Sequence, residues 1–174
     1  FSSNEYKRGE TGYSVEFDTV NCLAAATGTI SGTMNGLTEG KLYTVSLYFY
    51  VSEAPQSGTG SIKLWSFAEN KYDTNGNGVA GNPTLDTLDI NNSFVDGRWH
   101  KLSHTFTVNN ISNTSVKIDV IGMGFKTYID DIELTAETNL FRNNGKPIGQ
   151  TTTTLDTGFE TAVAAPRGFT VTVA

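Results

Sequence analysis

Within residues 42–51, the side chains from Tyr43 onward alternate between two phases, which is the repeat of a half-buried β-strand. One phase carries Tyr43, Val45, Leu47, Phe49 and Val51, and the other carries Thr44, Ser46, Tyr48 and Tyr50. Successive side chains of a strand point to opposite faces of a sheet. We therefore predict that the first phase faces a core.

Shorter segments of the same kind recur along the chain, separated by turns rich in Gly, Asn, Asp and Ser. Strand patterns occur at residues 12–18, 29–34, 60–68, 85–90, 99–108, 116–120 and 126–135. The composition agrees, because only 17% of the residues are charged and Thr, Ser, Asn and Gly are abundant. The pattern predicts an all-β fold, an antiparallel β-sandwich of jelly-roll type with about eight or nine strands and a C-terminal extension.

The sequence divides into a predicted jelly-roll domain, residues 1–135, and an extension, residues 136–174. The extension has too few apolar residues for a core of its own, and it contains a strand-like segment at 168–173. We expect it to add strands to the sandwich or to pair with another chain. Because the chain opens at Phe1 without a Met, we expect a piece of a longer polypeptide.

The charge balance argues against several classes of partner. Lys and Arg total 12 against 18 Asp and Glu, and no basic cluster occurs, so nucleic acid is not an expected partner. No apolar run is long enough for a membrane-spanning helix, so membrane insertion is not expected. The only cysteine, Cys22, excludes an internal disulfide and is predicted to be a small core residue.

Adjacent carboxylates, Asp130 and Asp131, interrupt the apolar segment 128–134. The inward phase is predicted to contain Tyr128, Ile132 and Leu134. This assignment places Asp130 inward and Asp131 outward but leaves Ile129 on the wrong side, which indicates a local irregularity. An unpaired buried carboxylate is costly, so either the two carboxylates are wet at the sheet rim or they bind calcium.

A second candidate calcium site lies in the long loop after residue 68. Its oxygen ligands would be Asp73, Asn75 and Asn77. Gly78 follows them at the sixth position, as in the first half of a calcium loop, but Thr84 stands where a bidentate Glu is needed. Asp86 is a possible substitute. The alternative is an ordinary turn, since Asn, Gly and Asp are common turn residues.

Aromatic side chains on polar phases are the candidate sugar-binding residues. Tyr48 and Tyr50 lie on the polar phase of residues 42–51, and Trp65 and Phe67 lie on that of residues 60–68. If the two segments share a sheet, these rings form a strip that stacks on sugars, and the loop residues Tyr72, Asn75 and Asn77 supply hydrogen bonds. Alternatively, the C-terminal segment or another subunit covers this face, and the rings are core.

Catalytic motifs are not found in the sequence, which contains neither Gly-x-Ser-x-Gly nor His-Glu-x-x-His. His104 is in phase with Leu102 and Phe106, which is typical of a core histidine with satisfied hydrogen bonds. Asp130 and Asp131 are predicted to point to opposite faces, where they cannot flank a glycosidic bond. An enzyme is therefore not expected.

Three segments in this order give the sequence a family resemblance. Residues 36–46, residues 97–108 and residues 128–134 resemble the corresponding parts of jelly-roll carbohydrate-binding modules related to families 4, 9 and 22. The likeness covers residues 9–135. It implies a galactose-binding-like β-sandwich, a packing role for Trp99 and a structural calcium near the last strand, for which Asp130 and Asp131 match the family's aspartates.

Two functions follow as hypotheses. The first is non-catalytic, lectin-like carbohydrate binding that attaches a larger secreted or surface protein to polysaccharide or a cell-surface glycan. The second is a structural or adhesion domain of a bacteriophage tail spike or fibre, whose Thr- and Gly-rich ends residues 136–174 resemble in composition. In that case the aromatics lie at the interface of a homotrimer. Both place the protein outside the cell, on a cell surface or on a virion.

Overall fold

A computed structural model describes residues 2–3, 8, 13–56, 60–69, 85–137 and 169–173. These residues form the strands β1 (Ser2–Ser3), β2 (Ser14–Asp18), β3 (Ala26–Thr33), β4 (Leu42–Glu53), β5 (Ser61–Ser66), β6 (Leu85–Asp89), β7 (Trp99–Thr107), β8 (Ser115–Gly122), β9 (Lys126–Glu137) and β10 (Phe169–Val173). Single 3₁₀ turns at Phe67–Glu69 and Asn92–Phe94 are the only helical elements among them. This part of the chain has no helix that could cross a bilayer.

The strands form two sheets that enclose one core. Sheet A has the order β1-β2-β9-β4-β7, and sheet B has the order β10-β3-β8-β5-β6. All the strand pairs are antiparallel. The predicted all-β antiparallel sandwich is confirmed, and each segment that the sequence marked as a strand forms one, with ends shifted by a few residues.

The core lies between the inner faces of the two sheets. Strand β4, which lies between β9 and β7 in sheet A, contributes the phase predicted from the alternation: Tyr43, Val45, Leu47, Phe49 and Val51 are all buried. Sheet B contributes Ile30, Ile62, Leu64, Val116, Ile118 and Val120. Burial of this apolar area is the main force that holds the sheets together, at about 25 cal/mol for each Å² removed from water.

Strand β9 contains a β-bulge at the aspartate pair. Asp131 and Ile132 together stand opposite Leu47 of β4, and Asp131 has a φ of 45°. The extra residue reverses the side-chain phase of β9. The predicted irregularity is therefore confirmed.

The bulge also corrects the predicted phase of β9. Ile129 before it belongs to the core, as Ile132 and Leu134 do after it. The inward placement of Tyr128 and Asp130 is wrong, because they pair in register with the outward-facing Tyr50 and Tyr48 of β4. Without the bulge, Ile129 and Ile132 would point to opposite faces of the sheet, and only one of them could lie in the core.

Two further expectations concern the ends of the sheets and the cysteine. Strand β10 pairs along its length with β3 of the same chain and extends sheet B at its edge. The division of the chain at residue 135 stays a prediction. Cys22 is exposed in the connection between β2 and β3, so the core position predicted for it is wrong.

Candidate functional site

The outer face of sheet A carries a cluster of aromatic side chains, which we call the Tyr48 face. Its members are Tyr48, Tyr50, Trp99 and Tyr128. The ring centroids of Tyr50 lie 5.7 Å from Trp99 and 6.3 Å from Tyr128. Tyr128 is 0% exposed although it lies on an outer face. The rings of Trp99 and Tyr128 therefore pack on Tyr50, as expected of aromatic pairs at this separation.

A cation covers Tyr48 on this face. The guanidinium carbon of Arg8 lies 3.5 Å from the Tyr48 ring centroid, and the Lys101 ammonium lies 5.2 Å from it. Lys101 is also 3.7 Å from Glu133. The Tyr48 ring is thus engaged by this chain's own cations, which are attracted to the negative face of an aromatic ring.

The outer face of sheet B carries a half-buried tryptophan among hydrogen-bonding side chains, and we call it the Trp65 face. Lys117 Nζ lies 5.3 Å from the Trp65 ring centroid and 3.0 Å from Asp119 Oδ2. Thr29 Oγ1 donates a hydrogen bond of 2.7 Å to Asp119 Oδ1. Lys63 pairs in register with Asp119 and lies on the same outer face. The face combines an indole with ammonium, carboxylate and hydroxyl groups.

The predicted single aromatic strip does not form. Tyr48 and Tyr50 belong to sheet A, whereas Trp65 belongs to sheet B and Phe67 lies in the 3₁₀ turn after β5. The condition that residues 42–51 and 60–68 share a sheet is therefore wrong, because the chain passes from one sheet to the other between β4 and β5. The predicted hydrogen-bonding partners Tyr72, Asn75 and Asn77 lie outside the described residues.

Several residues of the two faces escaped the sequence analysis. Lys117 and Asp119 occupy the polar phase of β8, so the alternation at residues 116–120 was a usable signal for them. Trp99 was expected to pack, and it does pack against Tyr50, but on an outer face. Arg8 gave no signal, because its carboxylate partners lie more than a hundred residues away in the chain.

Both carboxylates of the aspartate pair contact Arg8. The Arg8 backbone N–H donates a 2.9 Å hydrogen bond to Asp130 Oδ2, and the Arg8 guanidinium forms an ion pair with Asp131 Oδ2. The backbone N–H of Asp131 donates to Asp130 Oδ1 at 2.8 Å. The prediction that the two side chains point to opposite faces is wrong, because the bulge turns both toward Arg8.

These contacts do not fit a calcium ion at the aspartate pair. Calcium takes about six to eight oxygen ligands. Here both oxygens of Asp130 and one of Asp131 accept bonds from N–H groups. No group of three or more His, Cys, Asp or Glu side chains that could hold a metal occurs among the residues described. Calcium at Asp130 and Asp131 stays a prediction that requires Arg8 to move.

Only one residue of the second candidate calcium site, Asp86, lies among the described residues. Asp73, Asn75 and Asn77 lie outside the described residues. Asp86, the possible substitute ligand, instead contacts His104, with 2.9 Å between its Oδ2 and Nδ1 of the imidazole. Binding of calcium by Asp86 would compete with this contact.

His104 is a buried histidine between two carboxylates, as predicted for a satisfied core position. It is 5% exposed, and its Nε2 lies 2.8 Å from Glu69 Oε2 while its Nδ1 contacts Asp86. Its register partner Val45 is also buried. His104 thus connects sheet A, through β7, to β6 and the 3₁₀ turn of the opposite sheet.

The free energy of unfolding should depend on pH through the titration of Asp130. Burial raises its pKa above the ordinary 3.8, and the Asp131 charge adds to this, while the N–H donors of Arg8 and Asp131 oppose it. A carboxyl whose folded pKa is raised contributes stability below its unfolded pKa that is lost as the pH rises through the folded pKa. We expect unfolding free energies of the wild type to fall relative to those of Asp130→Asn as the pH rises from about 3 to 7. Urea titrations of both proteins measure this difference, and a difference that stays constant or grows with pH contradicts the assignment.

Comparisons with known proteins add little beyond this geometry. No protein-family model matches the sequence, and no curated protein matches it. A solved structure titled "CBM4 structure and function" is similar, with a TM-score of 0.38 and 18% sequence identity over 63% of this chain. The match spans 61% of that structure's own chain, or about three fifths of its length. The β-sandwich assignment rests on the strand pairing described above.

Proposed function

We propose that this protein is a non-catalytic carbohydrate-binding domain that attaches a larger secreted or surface protein to polysaccharide through the Trp65 face. The observation that carries the proposal is the half-buried Trp65 beside the chain of contacts from Lys117 through Asp119 to Thr29. An indole face packs on the apolar C–H side of a sugar ring, and neighbouring charged and hydroxyl groups bond its hydroxyls.

The Tyr48 face is less suited to the same role. The Tyr48 ring is covered by Arg8, and Tyr128 has no exposed surface. A sugar would have to displace the guanidinium, together with its ion pair to Asp131, before it could stack on Tyr48. On the Trp65 face, Lys117 lies over the ring at 5.3 Å, which is farther than the 3.5 Å of Arg8 over Tyr48, so a sugar has less to displace there.

Trp65 also has an unsatisfied donor. Its indole Nε1 is buried, and no acceptor for it occurs among the described residues. A buried donor without an acceptor costs about 1–3 kcal/mol. Because the Nε1 atom has no exposed surface, a sugar hydroxyl would reach it only after the ring moved outward.

The test is binding of the whole chain to an array of polysaccharides, with two tryptophan variants for comparison. We expect the wild type to bind at least one glycan and Trp65→Ala to weaken that binding about tenfold or more, the equivalent of about 1.4 kcal/mol. Trp99→Ala is the matched control, because it removes the other tryptophan from the opposite sheet. Circular dichroism checks that each variant is folded.

Each other outcome has a clear meaning. Loss of binding in Trp99→Ala but not in Trp65→Ala would move the site to sheet A and refute the Trp65 face. A folded wild type that binds no glycan would refute carbohydrate binding. In that case a trimer in solution would favour the structural role in a tail fibre.

A further inference from the structure

The aspartate pair and Tyr48 together enclose a guanidinium group. Tyr48 supplies a ring face at 3.5 Å from the guanidinium carbon of Arg8, and Asp131 supplies a carboxylate that accepts from the guanidinium. Asp130 accepts a hydrogen bond from the backbone N–H of Arg8. Three different kinds of contact thus converge on one arginine.

The bulge in β9 creates this arrangement. Tyr48 pairs in register with Asp130, and the extra residue Asp131 stands beside them with its left-handed φ. In a regular strand, side chains of adjacent residues point to opposite faces. The bulge instead brings the Asp131 carboxylate to the outer face, where it meets the arginine that lies over Tyr48.

Arginine suits the site better than a spherical cation does. Its guanidinium is planar, stacks on aromatic rings and presents several N–H donors to a carboxylate. A calcium ion would gain nothing from the Tyr48 ring and would have too few oxygens, because those of Asp130 already accept two N–H bonds. The shape and chemistry of the site therefore select a guanidinium.

We propose that Tyr48, Asp130 and Asp131 form an arginine-binding site whose occupant is the chain's own Arg8, and that this guanidinium takes the place of a calcium ion. The site holds Arg8 over β4, although the nearest described strand before it, β1, lies at the far edge of sheet A beyond β2 and β9. The Arg8 side chain thereby lies on the outer face of sheet A. The proposal does not depend on carbohydrate binding by the Trp65 face.

Thermal unfolding of the full-length chain tests the proposal. We expect Arg8→Ala to lower the Tm by about 2–6 °C, because it removes the ion pair and the ring contact but keeps the backbone N–H. Arg8→Lys should recover only part of the loss, since an ammonium neither stacks flat nor donates in a fork. Arg98→Ala, which removes an exposed arginine elsewhere, is the control and should leave the Tm unchanged.

Chemical rescue separates a binding site from a general loss of charge. Added methylguanidinium at about 100 mM should raise the Tm of Arg8→Ala relative to wild type by about 1–2 °C and in a saturable way, and methylammonium should not. The wild type corrects for the general effect of the additive. The rescue should vanish in Arg8→Ala, Asp131→Asn.

Calcium and chelator complete the test. We expect neither to change the Tm of the wild type. An Arg8→Ala variant that melts like the wild type, or one that methylguanidinium does not rescue, refutes the arginine site. A wild type that loses stability on chelation, when Asp131→Asn does not, refutes the replacement of calcium; a loss shared by both proteins would come from the loop that carries Asp73, Asn75 and Asn77.

Discussion

Phe49→Ala should lower the free energy of unfolding by about 3–5 kcal/mol, the range for removal of a large buried aromatic side chain. Phe49 is 0% exposed and lies on β4, the strand that pairs with both β7 and β9. Its ring centroid is 5.7 Å from that of Phe94 and 5.4 Å from that of His100. The substitution therefore leaves a cavity and also removes contacts to the 3₁₀ turn Asn92–Phe94.

Urea denaturation measures this effect directly. With a slope of about 2 kcal/mol/M, the midpoint should fall by about 1.5–2.5 M. Val95→Ala is the matched control, because Val95 neighbours the same turn but is 43% exposed; we expect a change within about 0.5 kcal/mol. A Phe49→Ala midpoint equal to that of the control would mean that the interior of β4 is not the core of the sandwich.

The strands were predictable from the sequence because strand formation leaves a local pattern. Alternation with a period of two fixed which face of β4 is buried, and turn residues fixed where most strands end. These signals depend on neighbours a few residues away. They do not say which strands share a sheet, since strands adjacent in the chain do not always pair in space.

The error over the aromatic strip has this origin. Tyr48 and Trp65 are close in sequence and share the same kind of phase, but β4 pairs with β7 and β9 while β5 pairs with β6 and β8. The connection between them changes sheet. The two rings therefore lie on opposite outer faces of the sandwich. Pairing between strands that are distant in the sequence determines in which sheet each ring lies.

The aspartate pair gives the opposite lesson. Local pattern did reveal that β9 cannot be a regular strand, because Ile129 conflicted with the phase of Ile132. The residue that compensates the carboxylates is Arg8, which lies 122 residues before Asp130 in the chain. A conflict between side-chain phases therefore predicts a bulge, but it does not predict which residue, here Arg8, contacts the side chains at the bulge.

The two outer faces differ in a way that bears on function. On sheet A the ring of Tyr48 is engaged by Arg8 and the neighbouring rings contact one another. On sheet B Trp65 lies beside polar groups that retain further capacity for hydrogen bonds, since an ammonium carries three donors. Of the two faces, the one with fewer aromatic contacts among the described residues is the one that we propose for the ligand.

His104→Ala should destabilise the fold by about 2–4 kcal/mol, because it leaves a carboxylate at the edge of the core without its imidazole partner. The side chains of His104 and Glu69 are only 6% and 16% exposed, so their contact is poorly screened by water. Asp86 is 47% exposed and contributes less. The substitution removes contacts that join β7 of sheet A to β6 of sheet B and to the 3₁₀ turn Phe67–Glu69.

A double-mutant cycle in urea isolates the His104–Glu69 contact. His104→Ala together with Glu69→Ala should cost less than the sum of the single changes, by about 1 kcal/mol or more, because the second substitution removes the carboxylate that the first one stranded. The exposed Lys101–Glu133 pair, 3.7 Å apart, serves as the control, and Lys101→Gln should change stability by less than about 0.5 kcal/mol. Additive effects of the two core-edge substitutions would show that His104 stabilises the sandwich by packing on Phe106, whose ring lies 5.9 Å away, and not by joining the carboxylates.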